Sequence, residues 1–469
     1  MPPDRDSLTY RLLAHIARVA VGWYYRAVTV DGAERIPASG PVLLVVNHPN
    51  ELMDAIFAGL ISPRQLTFTG KATLFDNPAL AAFLRHMRVV PLRRTQDESS
   101  HAVTEPTHPH TDPSARTTRN ADAFAAIHSA LHDGQMVLIF PEGRSWDEPR
   151  LAQIKTGAAR IALSAAAAGI SGVTILPIGI NYERKEGVRS RVLVEVGQPI
   201  AIDALPTEAA QVEPLTTAIA RQLHAVTLNF DDDVSADEVL DLATVLAAAS
   251  DEVRPLGDPD APLSAKVDIA RRADQIRRRL DRGELTPATE ERVRHIQRRL
   301  LALRRTATTL GIRLDDVALD TTASTARRFL LRELLLAGIG VPFAAWGRVN
   351  HFIPFSLARW LGVKTSNSRS QRAGRTIVLG ILLILVFYAI QTAAVWRTTS
   401  AWWALFYFAS LIPSASWDLR YTARLRQVHR RALAWKCFRD DPTLQITLRT
   451  ELRALRQEAA AIASGVPAM

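Results

Sequence analysis

"PVLLVVNHPNELMDAIFAGL", residues 41–60, is the stretch on which the fold turns. Val42 to Val46 form an uncharged aliphatic run of the kind that makes a strand buried on both faces. Pro49 has no backbone N–H to give a neighbouring strand, so the strand ends at Asn47. Asn50 then suits the cap of a helix beginning at Glu51. His48 falls in the turn and Asp54 in the first turns of the helix, so the two side chains can meet. Taken alone, this is also what an ordinary strand-to-helix turn looks like.

The alternation continues from about Val28 to Ile200. "RVVPL", "MVLIF", "VTILPIGI" and "RVLVEVG" are short β-rich runs bounded by turn residues, and "NADAFAAIHSALHDG" and "RLAQIKTGAARIALSAAAAG" are helical stretches between them. The expected domain, residues 1–229, is α/β, with a mixed, largely parallel sheet flanked by helices. Residues 94–120 interrupt it with a polar, proline-bearing segment, a flexible insertion. Its His101, His108 and His110 have no cysteine or spaced carboxylate beside them and suit a solvated loop better than a metal site.

The remainder is helical. A linker at 251–262 leads to a basic hairpin of two helices, within a helical domain expected at 230–333. Its arginines suit nucleic acid, anionic lipid or a solvated face with intrahelical Glu–Arg pairs. Residues 376–396, "TIVLGILLILVFYAIQTAAVW", carry no charge and have the length of a bilayer crossing. Residues 401–417, "AWWALFYFASLIPSASW", are shorter and flanked by tryptophan, and the two are expected to form a transmembrane hairpin. Residues 334–362 contain an apolar run too short to span and a proline at 342, expected as a re-entrant or interfacial piece, with a buried core helix as the alternative. Basic helices are expected at 419–469, and arginines on both sides of the hairpin put both ends in the cytoplasm.

The totals bound the chemistry. A formal charge of +10 on 469 residues suits nucleic acid, an anionic membrane surface or an acidic substrate. No glycine-rich RNA-binding signature or zinc-finger spacing occurs. The single cysteine, Cys437, excludes an intramolecular disulfide and fits a reducing compartment. The first 28 residues carry arginines through their apolar stretch and no small-residue cleavage site, so an amphipathic helix is expected, docked on its own domain or lying on a membrane. The Ala- and Arg-rich composition points to a bacterium with a GC-rich genome, and hence to the inner membrane.

A second segment supplies phosphate-friendly groups. In "FPEGRS", residues 140–145, Gly143 permits close backbone approach, Arg144 can fork onto phosphate oxygens and Ser145 adds a donor. A charged loop with a surface Glu142–Arg144 pair is the alternative. Lys155 and Gly157 are expected on the following helix. No serine or cysteine neighbours His48 and no G-x-S-x-G elbow occurs, so a nucleophile would come from the substrate.

"NHPNELMD" and "FPEGRS" resemble the first and third motifs of the glycerolipid acyltransferase family, which includes glycerol-3-phosphate and 1-acylglycerol-3-phosphate acyltransferases. "KATLFDNPALAAFLRHMRVVPLRR" resembles the second motif and "VTILPIGINYE" the fourth; the resemblance spans about residues 15–225. It implies that His48, oriented by Asp54, deprotonates an acceptor hydroxyl, which attacks the thioester of acyl-CoA or acyl-carrier protein. It implies that Glu142 and Gly143 shape the acceptor site, that Arg144 with Arg93 or Arg94 holds its phosphate, and that Lys155 is a further phosphate or coenzyme contact. Asn47 and backbone amides near the turn are candidates for steadying the oxyanion. Acyl donor, phosphorylated glycerol or lysophospholipid acceptor and membrane lipids are the implied partners; no nucleic acid, metal or bound cofactor is expected. One departure stands out: five residues separate His48 from Asp54 where the family commonly has four, as in a branch acylating glycerol-3-phosphate or dihydroxyacetone phosphate. A non-catalytic lipid-binding membrane protein is the competing reading.

Overall fold

The computed structural model describes residues 8–93, 121–203, 208–248, 262–320 and 322–465. The insertion expected at 94–120, and Arg94 with it, lies outside the described residues. Two compact units emerge: Met1–Asn229 with Thr365–Ile377, and Phe230–Lys364 with Val378–Met469.

The first unit is built on a mixed, largely parallel eight-stranded sheet. In chain order the strands are β1 (Ala27–Asp31), β2 (Val42–Val46), β3 (Leu66–Lys71), β4 (Val89–Leu92), β5 (Met136–Ile139), β6 (Thr174–Tyr182), β7 (Arg191–Val196) and β8 (Ile200–Ala201). Across the sheet the order is β1-β7-β6-β2-β5-β3-β4, with β8 paired to β6. Among the described residues, the β6–β7 and β6–β8 pairings are antiparallel and the others parallel. β2 is buried at every position because both its faces are covered. Leu43 and Val45 enter a core with Ile127 and Leu131 of α4 (Ala121–His132), Ile161 of α5 (Gly157–Ala167), and Leu215, Ile219 and Leu223 of α6 (Val212–Val226). Strand periodicity sends Val42, Leu44 and Val46 to the opposite face. Helices α1 (Leu8–Tyr24), α2 (Leu52–Ile61) and α3 (Pro78–His86) complete the unit. In α1, Tyr10, Val21 and Tyr24 are buried while Leu8 and Leu12 face out.

Two local expectations are corrected here. α2 begins at Leu52, and Glu51, at its N-cap, takes φ 40° and ψ −118°. Residues 150–156 are not helical, so Lys155 precedes α5 instead of lying on it. The amides of Leu151, Ala152 and Lys155 donate to Asn229 Oδ1, Glu142 Oε2 and the Pro141 carbonyl, tertiary partners that replace a helical ladder.

The second unit is helical: α7 (Asp233–Ala248), α8 (Leu263–Asp281), α9 (Pro287–Thr309), α10 (Ala323–Thr365), α12 (Ala401–Asp440) and α13 (Pro442–Gly465), with most of α11 (Arg369–Thr398). Its core joins Leu246, Ile296, Leu300, Phe438, Leu452 and Leu455. The arginine runs are laced by ion pairs: Arg277 with Asp274, Asp281 and Asp231, Arg294 with Glu290, and Arg299 with Glu451 and Glu458.

Residues 334–362 are not a separate re-entrant piece but part of α10, one helix of 43 residues containing Pro342 and Pro354. Among the described residues, α10 and α11 are the two helices long and apolar enough to cross a membrane. The stretch 401–417 falls short of that measure; it is the serine-bearing first half of α12, which continues into a strongly basic second half. The expected hairpin segments 376–396 and 401–417 lie in α11 and in the first half of α12, consecutive helices separated by a break at residues 399–400. Leu334, Leu335 and Ile339 of α10, and Leu382, Leu385 and Val386 of α11, are exposed along these helices.

Candidate active site

β2 and β5 are parallel neighbours, with Val45 opposite Ile139, so the turns after them emerge together at the C-terminal edge of the sheet. That edge is where open α/β sheets place ligand sites. His48 leaves β2 there and Glu142 leaves β5. The two loops are bolted together: the His48 amide donates to Glu142 Oε1 at 2.7 Å, and the Trp146 amide donates to the His48 carbonyl at 3.0 Å. The His48 ring stacks on Phe140, 3.7 Å between centroids and 12° from parallel.

His48 Nδ1 lies 3.0 Å from Asp54 Oδ2. Asp54 is fully buried and also accepts from the Asn50 amide at 2.6 Å and the Tyr182 hydroxyl at 2.7 Å. A carboxylate held this way keeps a proton on Nδ1 and leaves Nε2 as the basic nitrogen. His48 itself is 7% exposed, enough for a ring edge to meet a ligand while the rest is fixed. Between His48 and Asp54, Glu51 has an unusual backbone conformation, and its carboxylate accepts from the Ser145 hydroxyl at 3.2 Å.

Glu142 braces the loop with both carboxylate oxygens. Its second oxygen accepts the Ala152 amide at 2.9 Å, so both oxygens hold backbone, and burial pushes its carboxyl up. Gly143 sits at φ 72°, where a Cβ would come within 2.7 Å of Lys155 Nζ. Lys155 thus lies across the glycine, and the Arg144 guanidinium stacks 4.0 Å above the Trp146 ring. Arg144 and Lys155 both belong to the loop after β5, which is hydrogen-bonded to the histidine turn. Arg93 follows β4 at the same edge, but β5 and β3 lie between β4 and β2, about 14 Å of sheet. The structure does not bring it next to His48.

Asn47 has a structural task at the end of β2. Its side-chain amide is paired both ways with the Ile180 backbone, at 3.2 and 2.7 Å, and pins β2 to β6. Three residues escaped the sequence reading: Tyr182, Trp146 and Lys185. Lys185 Nζ donates to the Trp146 carbonyl at 2.8 Å and pairs with Asp147 at 3.3 Å. Tyr182 had a signal in the strand run "PIGINY", but its relevance needs β6 beside β2. Among the described residues there is no group of three or more His, Cys, Asp and Glu side chains placed to hold a metal.

Residues 27–181 match the family model described as acyltransferase. Those residues are an acyltransferase-family domain. The family expectation from the four motifs therefore holds over that segment. The domain is similar to two proteins of Saccharomyces cerevisiae. It is 35% identical over 160 residues to glycerol-3-phosphate O-acyltransferase 2, covering 33% of this chain and 20% of that protein. It is 35% identical over 118 residues to glycerol-3-phosphate O-acyltransferase 1, covering 23% and 16%. The matches thus span a small part of either relative. The 1-acyl-sn-glycerophosphate (LPA) acyltransferase of Thermotoga maritima aligns over 46% of this chain and 78% of its own, with 18% identity and a TM-score of 0.33.

Proposed function

We propose that the protein is a membrane-bound O-acyltransferase that moves a fatty acyl group from an acyl thioester, acyl-CoA or acyl-carrier protein, to a hydroxyl of glycerol-3-phosphate or 1-acylglycerol-3-phosphate in phospholipid synthesis. The observation that carries this is the buried His48–Asp54 pair with Nε2 left basic, in a turn hydrogen-bonded to the loop that carries Arg144 and Lys155. A binding module has no need of an oriented base.

In the proposed reaction Nε2 of His48 takes the proton of the acceptor hydroxyl as its oxygen attacks the thioester carbonyl. The tetrahedral intermediate collapses with loss of thiolate, which recovers a proton from the imidazolium. General base catalysis of this kind contributes a factor of about 10² to 10⁴. Arg144, with Arg93 or Arg94, holds the acceptor phosphate by charge-assisted hydrogen bonds, and Lys155 is a further phosphate or coenzyme contact. Only donor and acceptor take part as small molecules. The names of the two yeast relatives support glycerol-3-phosphate as acceptor. The two apolar helices support a membrane location, and the arginines on both sides of residues 376–417 support a cytoplasmic catalytic face, the membrane being a bacterial inner one.

The test is an assay of membranes carrying the protein with labelled acyl-CoA or acyl-carrier protein and a panel of acceptors, beside His48→Ala. Transfer to glycerol-3-phosphate or its 1-acyl derivative, falling at least a hundredfold in the variant, is the expected result. Transfer that survives in His48→Ala overturns the base assignment, and no transfer to any acceptor favours a lipid-binding protein.

A further inference from the structure

Asp54 has more partners than a histidine-orienting carboxylate needs. One oxygen takes the Asn50 amide and His48 Nδ1; the other takes the Tyr182 hydroxyl. With Asp54 fully buried, removing Tyr182 would leave Oδ1 with no donor and no access to water. Tyr182 comes from β6, 128 residues along the chain, and is the first residue beyond the segment that matches the acyltransferase family. Its ring is held among aromatic neighbours, 6.1 Å from Tyr25 and 6.0 Å from Phe57 between centroids.

We propose that Tyr182 is a positioning residue that completes a Tyr182–Asp54–His48 hydrogen-bond chain, its hydroxyl fixing the carboxylate plane so that Oδ2 faces Nδ1. The phenol makes no bond to substrate and passes no proton onward. It spreads part of the Asp54 charge and locks the histidine in the orientation that presents Nε2. Burial, and after it the charge of Asp54, push the Tyr182 hydroxyl well above the ordinary phenol range, which keeps it a donor throughout the working pH. The ionisable groups around the chain are Tyr25 ahead of β1, Glu142 after β5 and Lys185 after β6. This inference rests on His48 being the base.

The test is Tyr182→Phe, which keeps the ring and removes only the donor. At saturating acceptor kcat falls about tenfold, the kinetic equivalent of one hydrogen bond to a charged group, while the KM for acceptor stays within about twofold. Losing the donor concentrates negative charge on Asp54, which holds the imidazolium proton more firmly, so the acid limb of the kcat/KM–pH profile moves to higher pH. Replacing Tyr182 by 3-fluorotyrosine, a stronger donor of nearly the same shape, moves that limb to lower pH. It gives the answer even if the phenylalanine variant does not fold. A Tyr182→Phe enzyme with wild-type kcat and acid limb, or a fluorotyrosine enzyme with an unmoved limb, overturns the proposal. His48→Ala is run in parallel: activity surviving there overturns the base reading instead, so the two failures are told apart.

Discussion

At the scale of single residues, the five residues between His48 and Asp54 include one unusual backbone. Glu51 adopts φ 40°, a conformation that costs a non-glycine residue energy, and Asp54, at the third helical position, reaches back to Asn50 and His48. Spacing alone cannot reveal a dihedral angle that glutamate rarely takes. Glu142 is the counterpart in the second loop. Both oxygens accept backbone N–H groups, from His48 and Ala152. Glu142→Gln keeps one acceptor and turns an NH₂ group against a backbone donor, and is expected to cost about 2 kcal/mol of stability. Burial raises the folded carboxyl, so its stabilising contribution is full below the ordinary glutamate range and is lost as pH rises through the raised value. The deficit of the variant, measured by thermal unfolding of detergent-solubilised protein, should therefore be larger in mild acid than at neutral pH.

At the scale of elements, the sheet was legible and the helix boundaries were not. Uncharged runs such as Val42–Val46 announce buried parallel strands because nothing else suits a segment covered on both faces. The order of those strands is not written in any one of them, so the approach of Tyr182 to Asp54 could not be read. α10 makes the same point for a helix. Two prolines and a short apolar run argued for a break, yet the helix continues for 43 residues. Pro354 offers no N–H to the Asn350 carbonyl, and Gln391 Nε2 of α11 supplies a donor at 3.2 Å. Around Pro342, Trp417 Nε1 and the Tyr421 hydroxyl of α12 donate to the Gly340 and Ala337 carbonyls, both at 3.1 Å. At Pro354 the missing donor is replaced by a side chain of another helix. Gln391→Leu should lower the unfolding free energy of this unit in detergent by about 1 kcal/mol, with acyl transfer per folded molecule unchanged. A variant as stable as wild type would mean that the Asn350 carbonyl needs no outside donor.

At the scale of the molecule, the catalytic unit is discontinuous. The chain leaves it after Asn229 and returns for Thr365–Ile377. There the Ser370 amide donates to Asp147 Oδ1 at 2.8 Å, and Arg369 and Arg372 both pair with Glu186. Asp147 also pairs with Lys185, which holds the Trp146 carbonyl, and the Trp146 amide holds the His48 carbonyl. A segment far outside the acyltransferase match is therefore tied, through a few hydrogen bonds, to the loop carrying the candidate base. Asp147 is the junction. Burial pushes its carboxyl up, but the Lys185 cation and the Ser370 amide more than offset this and hold it below the usual aspartate range. A depressed folded value means that its contribution is present above the ordinary aspartate range and is lost as pH falls through the lowered one. The wild-type unfolding midpoint should accordingly drop between about pH 5 and about pH 3. Asp147→Asn should unfold at lower temperature at neutral pH, fall less steeply across that window, and lose part of its transfer activity. An asparagine variant that keeps the wild-type acid slope would show that the return segment is held by the Glu186 arginines and owes nothing to Asp147.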